Sequence, residues 1–242
     1  LVEADANHHH HHQHDDSPTH DRTPNARTNA TNTAEPVDAL TLDKRTWISV
    51  QFSSPSPGSR VFPSAVSDSD RQVYIFGGHD GNSYRNDLIV FDLDERSWVL
   101  DVGASGEGPS ARDAHAAVLH TERMYVFGGY DSKRYLNDLH SYDLHANTWS
   151  SVASSGTPPT PRGGHTAVVY HDRMIIFGGC DGWNYFNDCH SFKFLSGRWT
   201  ALRVTGTAPG ARSAPATVVY NKEGSMYIFG GYDGARSLND LF

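Results

Sequence analysis

Tyrosine, tryptophan and arginine carry most of the binding energy at protein–protein interfaces. In this chain they gather in four short stretches: HDGNSYR at 79–85, YDSKRY at 130–135, CDGWNYF at 180–186 and YDGARS at 232–237. Tyr84, Tyr135 and Tyr185 hold one shared place, Arg85, Lys133, Arg134 and Arg236 lie beside it, and Trp183 has no tryptophan counterpart in the other copies. The chemistry these side chains offer is recognition by stacking, cation–π contact and hydrogen bonding. Tyr84, Arg85, Lys133, Arg134, Tyr135, Trp183, Tyr185 and Arg236 are therefore the candidate partner-binding residues.

Bond-making constellations are missing from the sequence. It has no Gly-x-Ser-x-Gly elbow, no phosphate loop and no His-Glu-x-x-His motif. His115 and His165 share one position, but Pro63 and Pro215 occupy it elsewhere, which breaks any ring of metal-binding histidines. Buried, hydrogen-bonded histidines are expected there instead. Asp80, Asp131, Asp181 and Asp233 stand at one place after a glycine doublet and read as turn formers, not ligand contacts. No catalysis, cofactor or resident metal is expected in these stretches. The run His8–His12 with His14 has the chemistry to take up a transition metal, yet its biased composition favours a tag remnant or a homopolymer expansion.

These stretches are held by something that repeats. The doublets Gly77-Gly78, Gly128-Gly129, Gly178-Gly179 and Gly230-Gly231 step by 51, 50 and 52 residues. Trp47, Trp98, Trp149 and Trp199 step by 51, 51 and 50, and Arg60, Arg112, Arg162 and Arg212 by 52, 50 and 50. Three markers in one register define a structural repeat of about 50 residues.

Each repeat reads as four strands, which in the clearest copy are 115–120 (A), 124–129 (B), 139–144 (C) and 148–152 (D). Aromatic and β-branched residues crowd strand B on both faces, as in a sheet covered on both sides. The doublet ends strand B, where glycine allows positive φ and close approach of a neighbour. The Trp of strand D offers an apolar plate to the next sheet and an indole N–H for a carbonyl. Asn-Asp before strand C bonds its own and nearby backbone. Each repeated Arg ties one connector to the next blade by a bidentate bond to a carboxylate or carbonyl. The A–B and C–D connectors are short, so the long B–C and D–A connectors share the face where recognition is expected. The fold class is all-β, with sheets set as propeller blades.

A Gly-Gly doublet after an aromatic strand, then Asn-Asp, Tyr/Phe-Asp and a Trp about 21 residues past the doublet, resembles the kelch repeat, from Val37 to Phe242. The connector GTPPTPRGGH (156–165) resembles those of the leucine-zipper-like regulator and Rab9-effector branch of kelch proteins. The register implies an incomplete propeller: a partial blade at 37–52, blades at about 60–102, 112–152 and 162–204, and a partial blade at 212–242. The stretch 1–36, rich in His, Asn and Thr, is expected to be disordered.

Some kelch adaptors read acidic peptides with an Arg just before strand A. Here Phe62, Ala114, Gly164 and Ala214 stand there, so the resemblance carries no basic axial pocket over to this chain. Nor does the sequence show the Tyr, His and Cys set of a galactose-oxidase-type propeller, or the Glu, Asp and His steps of iron-binding specifier proteins.

Net charge is −8, of which residues 1–36 supply −4, so the repeats are mildly acidic and general nucleic-acid binding is not expected. No apolar run nears the roughly 20 residues that span a bilayer. Leu1 stands where an initiator Met would, which reads as a missing or processed start. Two cysteines, Cys180 and Cys189, fit a reducing, cytoplasmic setting.

The resemblance implies a non-enzymatic interaction platform. It would be the substrate-recognition part of an adaptor for a cullin ubiquitin ligase, with a BTB domain downstream and another protein or peptide as partner. The alternatives are a regulatory propeller on a catalytic domain, as in kelch-containing phosphatases, and a trafficking or cytoskeletal scaffold.

Overall fold

The computed structural model describes residues 49–68 and 71–242. The tail 1–36 and most of the partial blade 37–52, including Trp47, lie outside the described residues. Ser49–Phe242 form one compact unit.

Among the described residues there are strands and turns and no helix. The first sheet runs β1 (Ser64–Ser67), β2 (Gln72–Phe76), β3 (Leu88–Asp92) and β4 (Ser97–Val99). A short β5 (Ser105–Gly106) precedes the second sheet, β6 (Ala116–His120), β7 (Arg123–Tyr130), β8 (Tyr135–Asp143) and β9 (Thr148–Ser151). Likewise β10 (Ser155–Gly156) precedes β11 (Thr166–Tyr170), β12 (Arg173–Phe177), β13 (Cys189–Lys193) and β14 (Arg198–Leu202). The chain closes with the hairpin β15 (Ala216–Tyr220) and β16 (Ser225–Phe229), onto which Leu241 bridges at Phe229.

The four expected strands thus form an antiparallel meander in each of three sheets. The connector between sheets adds one more device. β5 pairs parallel to β9, and β10 parallel to β14, so each connector first lies along the outer edge of the next sheet. Ser53 does the same on the first sheet, its N–H donating to the Arg96 carbonyl at 3.1 Å. An outer strand left open would offer unpaired N–H and C=O groups to any other chain, and the connector covers them.

Side chains on a strand alternate between faces, and both faces here are apolar. Met124 and Val126 of β7 join Tyr74, Phe76 and Trp149 in a core between the first and second sheets. Phe127, one residue on, joins Met174, Ile176, Phe192 and Trp199 between the second and third. Phe177 and Ile228 continue the pattern between the third sheet and the last hairpin. The core is therefore a series of layers between sheets. Trp149 packs against Phe76 of the preceding sheet at 5.1 Å, and Trp199 against Phe127 at 5.0 Å. Trp98 instead meets Phe52 and Phe91. Its indole N–H is buried without a partner among the described residues, against the expectation that it would find a carbonyl.

The inner strands lie side by side, β6 between β1 and β11, and β11 between β6 and β15. Just before each one, a residue with positive φ passes a hydrogen bond to its equivalent. Ala114 N–H donates to Phe62 O (3.2 Å), Gly164 N–H to Ala114 O (2.7 Å) and Ala214 N–H to Gly164 O (2.6 Å). Phe62, Ala114 and Ala214 adopt this left-handed geometry at φ of 50–53° despite their Cβ atoms. The residues that replace arginine in this chain are thus links in a backbone chain around the propeller axis.

Candidate interaction surface

The rim is built on the glycine doublets and the repeated arginines. Gly77 has φ of +63°, and a Cβ there would sit 2.7 Å from the Arg112 carbonyl oxygen. That approach is what glycine allows, because the Arg112 carbonyl accepts the Gly78 N–H at 2.9 Å and the Arg112 N–H donates to Arg85 O at 2.9 Å. The backbone of Arg112 thereby holds the first sheet. Its guanidinium holds the second, donating to Gly128 O (3.0 Å) and to both oxygens of Asp138 (2.7 and 2.9 Å). Arg162 repeats this with Gly178 and Asp188, and Arg212 with Gly230 and Asp240. Arg60 does so with Gly77 and Asp87.

The Asp of each Asn-Asp pair is therefore the arginine's counterion, not the backbone partner expected from its type. The signal was present, since Arg and Asp recur in one register. Asn137 and Asn187 reach the next connector, at the carbonyls of Pro159 and Pro209, both at 3.3 Å. Burial works to raise the Asp138 and Asp188 carboxyls. The hydrogen bonds and charges of the arginine and of His140 or His190 outweigh it and hold both well below the usual carboxylate range.

On this frame stand the B–C loops. Asp131 Oδ1 accepts the N–H groups of Lys133 and Arg134, both at 2.9 Å. Asp181 Oδ1 accepts those of Trp183 and Asn184, while Asp80 and Asp233 do the same in their own loops. These are Asx turns. Backbone donors from Ser83 and Asn82 hold the Asp80 carboxyl down to about 2, and Asp80 also pairs with Arg85. Each carboxylate is thus committed to shaping its own loop.

The tyrosines form a belt. His79 meets Tyr84 at 4.7 Å, Tyr84 meets Tyr130 of the next sheet at 5.8 Å, and Tyr130 meets Tyr135 at 5.0 Å. Tyr135 then reaches the Cys180 thiol of the third sheet, and burial with that neighbour pushes its hydroxyl up to about 12. Tyr185 meets Tyr232 of the last hairpin at 5.9 Å. A Cβ on Gly182 would touch the Tyr135 ring at 3.0 Å, and one on Gly234 the Tyr185 ring at 2.7 Å. The sequence does not mark the residue after each doublet (His79, Tyr130, Cys180, Tyr232), because its type varies, although it lies in register with the tyrosines. Behind the belt, an axial depression of about 460 Å³ is lined by Tyr84, Tyr135, His115, His165 and Cys180, among others.

His115 and His165 are buried, and burial with the adjacent arginine lowers each imidazole to about 3. His115 Nε2 bonds Ser64 Oγ at 2.7 Å. His165 departs from expectation, since neither ring nitrogen has a partner among the described residues. The residue in register with Ser64 in the sheet that His165 faces is Ala116, which has no hydroxyl.

The structure brings four of the candidate residues together. Lys133, Arg134, Tyr135 and Trp183 line an open cleft of about 600 Å³ between the loops of the second and third sheets. Trp183 is 92% exposed. Tyr84 and Arg85 lie on the first sheet's loop, while Tyr185 and Arg236 flank the next junction, where Arg236 approaches Asp233 at 3.7 Å. These four do not line the cleft.

Sheets stacked face to face about an axis, with doublets, Trp plates and Arg–Asp ties in one register, define a kelch-type β-propeller. Residues 64–242 match the family model described as the FBX42 β-propeller domain, which is well over half of the chain, and the chain belongs to that family. It is 38% identical over 110 residues to acyl-CoA-binding domain-containing protein 4 of Arabidopsis thaliana, which covers 45% of this chain and 16% of that protein. Over 98 residues it is 38% identical to the leucine-zipper-like transcriptional regulator 1 homolog of Drosophila melanogaster, covering 38% of this chain and 10% of that one. It is 29% identical over 121 residues to human kelch domain-containing protein 10, covering 48% and 27%. The chain thus spans about a quarter or less of the length of the curated relatives it matches. This family supports a protein-interaction domain. Among the described residues, no helix is long and apolar enough to cross a membrane.

Proposed function

We propose that the rim of B–C and D–A loops is a client-holding surface, and that the chain is the substrate-recognition part of a cytoplasmic adaptor of the BTB/cullin ubiquitin-ligase type. The observation that carries this is Trp183, 92% exposed on a rigid frame whose other tryptophans at 149 and 199 are buried. An exposed indole contributes little to folding, and at an interface it is among the side chains that dominate affinity. Lys133, Arg134 and Tyr135 stand beside it, and Tyr84, Arg85, Tyr185 and Arg236 extend the surface to either side. The chemistry is positioning: the propeller holds a client and makes no bond.

A second reading, a propeller that regulates an attached domain of another kind, draws support from relatives named for an acyl-CoA-binding domain. Proximity labelling with the whole protein, compared with its Trp183→Ala variant, separates the two. The adaptor reading expects cullin-ligase subunits in both sets, and clients whose labelling and ubiquitination are lost with Trp183. Identical client sets for both proteins, with no ligase subunit in either, would overturn it.

A further inference from the structure

We infer that the cleft between loops 131–134 and 181–184 receives an extended acidic polypeptide segment, with one apolar side chain laid on Trp183 and carboxylates facing Lys133 and Arg134. This deepens the proposed client-holding role and rests on it.

The charge arrangement carries the inference. The two loops carry two aspartates and two cations, of which Asp181, Lys133 and Arg134 line the cleft, but they are not equivalent. Asp131 and Asp181 are half-buried and turned into their own loops, where backbone N–H groups take Oδ1. Asn184 Nδ2 approaches the other oxygen of Asp181 at 3.1 Å. The Lys133 ammonium has no carboxylate within 4.0 Å among the described residues, and Arg134 only grazes Asp131, Nε to Oδ2, at 4.0 Å. Both cations are exposed at the rim, with the Arg134 side chain at 79%. Elsewhere on the rim Arg85 is paired with Asp80, and Arg236 stands alone at its junction among the described residues, approaching Asp233 at 3.7 Å much as Arg134 approaches Asp131.

Lys133 and Arg134 therefore set two exposed cations side by side at one junction of an acidic protein, and the ammonium of the first has no carboxylate in reach among the described residues. That junction also carries an uncovered indole and the Tyr135 ring. Opposite charge supplies the specificity, and the apolar contact supplies the desolvated centre. A nucleic acid also pairs phosphates with cations and bases with aromatics. Two cations on a chain of net charge −8 make too narrow a track for it.

The test uses the full chain and fluorescence anisotropy with a fluorescein-labelled peptide of sequence EDELEED, at low and physiological salt. Binding is expected to fall roughly tenfold or more in Trp183→Ala and in the double variant Lys133→Glu/Arg134→Glu. It should be unchanged in Lys222→Glu, which carries a charge change in the turn at the opposite end of the blades. Equal binding by all four proteins would overturn the inference. So would tighter binding of a ten-nucleotide oligothymidylate that displaces the peptide. If the peptide fails while Trp183→Ala still strips clients in the labelling experiment, only the acidic chemistry falls. If neither responds to Trp183, the client-holding rim falls with it.

Discussion

Arg112 and Asp138 meet through two parallel hydrogen bonds of 2.7 and 2.9 Å, with the guanidinium side chain 1% exposed and the carboxylate at the blade's rim. Gly128 O, Ser110 O and Ser110 Oγ take the other three N–H groups, so all five donors of the guanidinium are engaged. A buried cation is tolerable only when it is paired and fully hydrogen-bonded. The same residue's backbone clamps the preceding sheet, so this ion pair sits where two blades are joined.

Asp138→Ala should therefore destabilise the chain by about 3 kcal/mol, because it leaves a buried charge with two unanswered donors. Replacing both partners, as Arg112→Met with Asp138→Leu, should recover part of that loss. Urea denaturation followed by tryptophan fluorescence measures both. A single variant as stable as the parent would show that the pair carries no weight.

Acid should loosen the fold in two stages. His115 and His165 titrate near 3 in the folded chain against an ordinary 6.5, so below pH 6.5 the unfolded chain binds protons that the folded chain refuses. Stability should then fall as pH falls, with these two groups contributing a slope that approaches about 2.7 kcal/mol per pH unit between their unfolded and folded values. Below 3.8 the depressed carboxyls Asp138 and Asp188 add to the loss, since their stabilisation is full above that value and disappears as pH falls toward their lower folded values. His165→Phe should reduce the first slope by about half. Chemical denaturation across pH 4–7 reads it directly.

His165 also offers a gain. Ala116→Ser places a hydroxyl where Ser64 already serves His115, and it should raise stability by about 1 kcal/mol, while Ser64→Ala should lower it by a similar amount. Paired thermal melts of the two variants check both signs. A loss in Ala116→Ser would mean that the imidazole is answered in some other way.

Much of the frame was legible because it repeats. The Gly, Trp and Arg rulers located three sheets and a final hairpin, and the strands of the second sheet were placed within a few residues. Strand C begins at Tyr135, not Leu139, because a register shift between Phe127 and Gly129 lets β7 and β8 go on pairing past the doublet. The connector strands β5 and β10 left no pattern, since two residues are too short to alternate. The aspartate turns were readable from local chemistry. The Arg112–Asp138 tie left a signal, because Arg and Asp recur in one register, but 26 residues separate the partners and an aspartate in an Asn-Asp pair equally suits a bond to nearby backbone, so folding decides between the two. The clustering of Lys133, Arg134, Tyr135 and Trp183 in one cleft depends on how neighbouring blades face each other, and no spacing within a single repeat encodes that.

Hydrogen–deuterium exchange on the full chain, with and without a client captured through Trp183, tests the central claim most directly. Protection is expected at 131–134 and 181–184, with none at the opposite turns 121–122, 144–147, 171–172 and 194–197. Protection confined to those opposite turns, with the Trp183 loop exchanging freely, would contradict the account.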